Sequence, residues 1–128
     1  MLTYPAVQLL DVTGPVQVFA SANDIVAGTG GARPYLLRIV SQGGQGVTAT
    51  AGVALAAAPL TPLGETPDTL LVPGGEGVDA AAENPVLVDW VRQQAAQARR
   101  VSLHGRIPAR RGRGSGRTPR NDPLAVLC

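Results

Sequence analysis

An aspartate between an apolar run and a Gly-Pro pair is the first group in this chain that could do chemistry: Leu9-Leu10-Asp11-Val12-Thr13-Gly14-Pro15 reads as a strand end running into a helix start. That junction is where α/β sheets gather ligands and reacting groups. The ordinary use of such an aspartate is to cap a helix or complement its dipole. Val72-Pro73-Gly74-Gly75 reads as a second strand end. There Gly74 and Gly75 could turn backbone N–H groups toward a ligand or a developing oxyanion, the plain alternative being a tight turn. His104, beside Gly105-Arg106, has no Ser, Cys or carboxylate near it in a sensible element, which argues against a general base. Cys128 is the last residue, and nothing positions it or lowers its pKa. One Cys and one His exclude a thiolate cluster and leave little for a metal, so the sequence implies no metal and no other cofactor. Gly28-Thr29-Gly30-Gly31 follows a helical pattern rather than a strand and reads as a connector, not a phosphate loop. Trp90, at helical spacing, reads as core.

The elements that must position these groups follow from periodicity. Gly14-Pro15 followed by Val16, Phe19, Ala20, Val26 and Ala27 predicts a helix with proline at its first position, ended by Gly28. Before it, Val7, Leu9 and Leu10 read as the end of a strand whose beginning is short or missing, as in a truncated N-terminus. Tyr35-Leu36-Leu37-Arg38-Ile39-Val40 has the length and flanks of a buried strand, and Val47 to Ala49 with Val53 to Leu55 suggest a small hairpin around Ala51-Gly52. Thr69-Leu70-Leu71-Val72 is a short buried strand stopped by Pro73. Asn84-Pro85 supplies an N-cap and a first-turn proline for a helix whose apolar face is Leu87, Trp90, Val91, Ala95 and Ala98. Val101 starts the next strand. This order predicts an α/β fold with a mostly parallel sheet covered by helices.

Composition divides the chain in two. Over its 128 residues it is 45% hydrophobic, with Lys+Arg 11 against Asp+Glu 9, every base being Arg. Residues 1–102 carry net −3, whereas residues 103–128 carry net +5 and are dominated by Arg, Gly and Pro. The expected organisation is therefore a folded part over 1–102 and a disordered basic tail over 103–128. No run of ~18 apolar residues exists to cross a bilayer, and the start has no basic region followed by an apolar one. The expected location is cytoplasmic, with no membrane partner.

Taken together, Pro5-Ala6-Val7-Gln8-Leu9-Leu10-Asp11-Val12-Thr13-Gly14-Pro15-Val16-Gln17-Val18-Phe19, Leu70-Leu71-Val72-Pro73-Gly74-Gly75 and Val86 to Val101 resemble the DJ-one/PfpI (ThiJ-like) family of the class I glutamine amidotransferase-like fold. The likeness covers residues 1–102. Within the family it is most similar to the N-terminal ligand-sensing domain of AraC-type transcriptional regulators, and next to isonitrile hydratases. The resemblance implies a flavodoxin-like three-layer α/β sandwich, here partial and truncated, often homodimeric, with a cysteine on a sharp elbow after Val101. It also implies that Asp11 is the acid facing that thiol and Gly75 an oxyanion-type donor. The elbow itself, V-C-T-G-A-F-L-L-A in one-letter form, is absent from this reading frame.

The tail offers a reason. One permitted set of codons for Leu103 to Pro108, CTG CAC GGG CGC ATT CCT, read one base later spells C-T-G-A-F, and the shifted frame continues in the family's pattern. The tail then reads as a frameshift product, since GC-rich DNA read out of phase yields Arg, Gly, Pro and Ala. The competing reading is a natural Arg/Gly segment that binds nucleic acid by counterion release. On the first reading the chain is a fragment of a sensing domain for an unknown small molecule, without catalytic activity and reaching DNA only through a missing C-terminal module. A truncated hydro-lyase of the hydratase type, in which a restored thiol attacks carbon beside Asp11, is the enzyme alternative. A truncated sheet exposes an apolar edge and face, so the expressed chain is expected to be poorly soluble or oligomeric. Genomic sequencing from the codon for Val101 past the stop separates the readings: a one- or two-base correction restores the elbow, whereas an unchanged frame leaves the basic segment.

Overall fold

A computed structural model describes residues 1–62 and 64–104. The basic-tail readings and Cys128 lie outside the described residues. The element order is helix α1 (Leu9–Gly28), strand β1 (Val40–Ser41), a 3-10 turn (Gln42–Gly44), β2 (Val47–Thr48), β3 (Ala54–Leu55), β4 (Ala58–Pro59), β5 (Thr69–Val72), α2 (Val78–Glu83), α3 (Pro85–Gln97) and β6 (Arg100–Leu103). Two parallel pairs carry the layout. β1 pairs with β4, in register Val40 to Ala58, and β5 pairs with β6, from Thr69 opposite Arg100 to Val72 opposite Leu103.

The N-terminal residues join these pairs. Leu2 bridges Val40 in parallel, Thr3 N–H donates to Val40 O at 2.8 Å, Val40 N–H donates to Met1 O, and Leu2 N–H donates to Leu71 O at 2.9 Å. The resulting order is β4, β1, residues 1–3, β5, β6. The expected mostly parallel sheet is therefore present. The sequence placed the first strand at Val7 to Leu10; it lies five residues earlier, because buried Leu2 and Tyr4 fill one face of the sheet.

Helix α1 starts at Leu9, not at Pro15, so the proline sits inside the helix. A helical proline lacks the N–H that would reach the carbonyl four residues back, here Asp11. The apolar series Leu9, Val12, Val16, Phe19 and Val26 runs across it at helical spacing, and burial of Val12 at 0% exposure outweighs the lost bond. The reading of Tyr35 to Val40 as a buried strand is also corrected. Only Val40–Ser41 is strand, and Leu36 is 81% exposed. The Met1 ammonium donates to Arg38 O. Buried Asn23 instead holds Tyr35, accepting its N–H at 2.9 Å and donating to its carbonyl at 2.8 Å.

The second half follows the sequence closely. β5 is Thr69–Val72, with Leu70 and Val72 buried. Asn84 caps α3 by accepting from Val86 N–H at 3.0 Å and Leu87 N–H at 3.4 Å, and Pro85 takes the first turn. The face Leu87, Trp90, Val91 is buried, and Trp90 Nε1 donates to Thr61 O at 3.0 Å, which confirms its core role. The hairpin forms as β2 and β3, antiparallel, with Val47 opposite Leu55. β4 and the short α2 had no legible signal.

Tyr4 locks the innermost strand in place. It is 3% exposed, and its hydroxyl donates to Pro73 O at 2.5 Å just past β5. Burial, then the Asp11 carboxylate, push its phenol up to about 12 from 10.0. A raised phenol pKa means the neutral form is favoured by folding, so its contribution is complete below pH 10.0 and is lost as pH rises through about 12. In urea denaturation the Tyr4 contribution to the midpoint is expected to be constant up to pH 10.0 and to fall from there to about pH 12. Tyr4→Phe should cost about 1–2 kcal/mol at neutral pH, by leaving a buried carbonyl unpaired, and should flatten the alkaline fall. Equal alkaline losses in both proteins would remove Tyr4 as the cause.

Candidate functional site

The chain leaves residues 1–3 to build β1 and β4 on one side of them, then returns to build β5 and β6 on the other. That reversal is a topological switch point, the place where open α/β sheets build their sites. One loop is Tyr4 to Gln8; the other is Pro73 to Gly77. They are stitched by Gln8 N–H to Gly74 O at 2.9 Å, Gly77 N–H to Ala6 O at 3.1 Å and an antiparallel bridge between Val7 and Gly75. β2 adds a third wall, since Ala6 N–H donates to Thr48 O and Thr50 N–H donates to Val7 O.

Such close approach dictates the residue types. Ala6 adopts φ 56 and Gly75 φ 136. A Cβ on Gly75 would run into Gln8 N and come within 2.6 Å of Ala6 O, so only glycine fits. A Cβ on Gly77 would collide with Pro5 O.

Asp11 lies here, in the first turn of α1 rather than ahead of the helix. Its Oδ2 accepts the Gly74 N–H at 3.0 Å. The carboxylate therefore serves the helix dipole and ties α1 to the loop after β5. The structure brings together all three residues singled out by sequence, but not in the same role. Gly74, read as a possible oxyanion donor, gives its N–H to Asp11 here. The Gly75 N–H has no hydrogen-bond partner among the described residues.

His104 arrives as well. It follows β6 in parallel with β5, donates its N–H to Val72 O at 2.8 Å, and its carbonyl would stand 3.1 Å from a Cβ on Gly74. Sequence distance hid this, because the strand pairing places Leu103 opposite Val72 across thirty-one positions. Tyr4 was missed for a different reason: one tyrosine before Pro5 carries no pattern, and only its bond to Pro73 reveals it. Among the described residues, no group of three or more His, Cys, Asp or Glu could hold a metal ion. No helix among them is long and apolar enough to cross a membrane.

Comparison with known proteins places this arrangement. No family model matches the chain. An HTH-type transcriptional regulator of Mycobacterium tuberculosis is 45% identical over 67 residues, 51% of this chain and 26% of that protein. The isonitrile hydratase of Pseudomonas putida is 37% identical over 103 residues, 79% of this chain and 40% of that protein. The chain thus matches well under half the length of either. An uncharacterized protein of Streptomyces lividans is 32% identical over 102 residues, 80% of this chain and 68% of that protein. The crystal structure of Drosophila melanogaster DJ-1beta superposes with a TM-score of 0.49 at 18% identity, over 74% of this chain and 47% of that one. With 32% identity over 68% of one relative's length and similarity to a transcriptional regulator as well as to a hydratase, the chain belongs to the DJ-one/PfpI family.

Proposed function

We propose that this DJ-one/PfpI domain senses a small molecule for transcriptional control and does not itself catalyse a reaction. The observation that carries the reading is the bond from Gly74 N–H to Asp11 Oδ2. The acid that would face a thiol in an enzyme of this family is engaged in holding the loop. The residue following β6 is His104, and the chain's single cysteine is Cys128. Among the described residues the switch point holds a positioned carboxylate, the Gly75 N–H, His104 and main-chain edges, a set that can bind and orient a ligand but includes no serine or cysteine nucleophile. Similarity to a transcriptional regulator supports the same reading. DNA contact then falls to a separate helix-turn-helix module.

The longer match to an isonitrile hydratase favours a second reading. That reaction adds water across the isonitrile carbon, converting R–NC to R–NH–CHO. Incubating the chain with a simple alkyl isonitrile and measuring the formamide decides between them. The sensing reading expects no formamide above the protein-free rate, in the native chain and in Asp11→Asn alike. The variant should be less stable by about 1 kcal/mol, because a charged acceptor of the Gly74 N–H becomes a neutral one. Formamide production that falls in Asp11→Asn would establish the enzyme instead.

A further inference from the structure

A cavity of about 380 Å³ opens beside the switch point without touching Asp11, Gly74, Gly75 or His104. Its walls come from the ends of residues 1–3 and of β1, the turn after β1, and the flank of α2 leading to the α3 cap. Its size is that of a pocket for a small molecule.

Its chemistry is uniform. No Asp, Glu, Lys, Arg or His lines it. The one ionisable wall residue, Tyr4, has its hydroxyl committed to Pro73 O. A charged guest would give up its hydration with no counter-charge to replace it, which is costly. An uncharged guest meets several hydrogen-bonding groups.

Gln42 is oriented by a relay. The Asn84 Oδ1 is fixed by the Val86 and Leu87 N–H groups it caps, and its Nδ2 donates to Gln42 Oε1 at 2.5 Å. With that oxygen engaged, the Gln42 carboxamide is left with its N–H donors, which take no partner among the described residues. Across the turn, Ser41 Oγ donates to Gln45 O at 2.6 Å, holding the Gln45 backbone against β1 with Gln45 in the cavity wall. Donor and acceptor groups thus line one neutral space.

We propose that this cavity binds an uncharged small molecule bearing a carbonyl acceptor next to an N–H or hydroxyl donor, the pattern of a carboxamide. Gln42 and Gln45 are its recognition residues. The inference stands apart from the regulator reading, since the site would bind such a compound in a sensor or in an enzyme.

Nicotinamide and nicotinate test it, being one ring with a neutral carboxamide or a carboxylate. Titrated into the full-length ¹⁵N-labelled chain at pH 7, nicotinamide should saturably shift the amides of Gln45, Gly46 and Ala81. It should bind at least tenfold more tightly than nicotinate, as expected for a site built from neutral hydrogen-bonding groups. Ala80→Trp, at an exposed position on the cavity wall, should abolish the shifts while leaving the spectrum dispersed. Gln42→Leu should weaken binding roughly five-fold, as for one neutral hydrogen bond. Equal affinity for the two compounds, shifts outside this wall, no saturable shift, or binding indifferent to both substitutions would overturn the proposal.

Discussion

The fold depends on three residues at the start of the chain lying between two strand pairs that never touch each other. Leu2 and Thr3 bond to Leu71 on one side and Val40 on the other, and without them the β1–β4 and β5–β6 pairs have no common sheet. A central strand this short has few backbone bonds to hold it, so side chains make up the difference. Leu2 and Tyr4 are buried against the face that receives Leu87 and Val91, and the Tyr4 hydroxyl reaches past the end of β5. Hydrophobic burial and a buried hydrogen bond thus do for this strand what ladder length does for a longer one.

The same constraint creates the site. Because the central strand is followed at once by α1, the helix start is pressed against the loop leaving β5, and the two must exchange bonds at close range. Glycine at 75 and 77 and the positive φ of Ala6 are consequences of that approach. Asp11, on the first turn of α1, meets the one backbone donor within reach, Gly74. The carboxylate also acts on Tyr4, joining burial in keeping the phenol protonated. Strand end, helix start and loop are therefore one coupled unit. A change at Asp11 alters the geometry of Gly74 as well as the charge of the site.

What could be read from sequence was what local chemistry decides. The Asn84-Pro85 cap, the Leu87, Trp90 and Val91 face, the arrest of β5 at Pro73 and the hairpin around Gly52 rest on residues within a few positions of each other. What could not be read was set across the fold. Pro15 looked like a helix start, but Val12 is needed in the core and the helix extends back through the proline. Tyr35 to Ile39 has the composition of a strand but pairs with none among the described residues, and Asn23 holds Tyr35. Of the site, Asp11, Gly74 and Gly75 were legible as strand-end residues. The use of the Gly74 N–H, the arrival of His104 and the part of Tyr4 depend on pairings between residues thirty to seventy positions apart.

Amide hydrogen exchange on the intact chain addresses the central strand directly. The bonds from Leu2 N–H, Thr3 N–H, Val40 N–H and Gln8 N–H are the ones that unite the sheet and close the site. If the innermost strand holds the fold together, these four amides exchange at the rate of global unfolding, alongside those of β5. Rapid exchange at Leu2, Thr3 and Gln8, with β5 and β6 still protected, would show two strand pairs held apart from the N-terminal residues and would contradict the account.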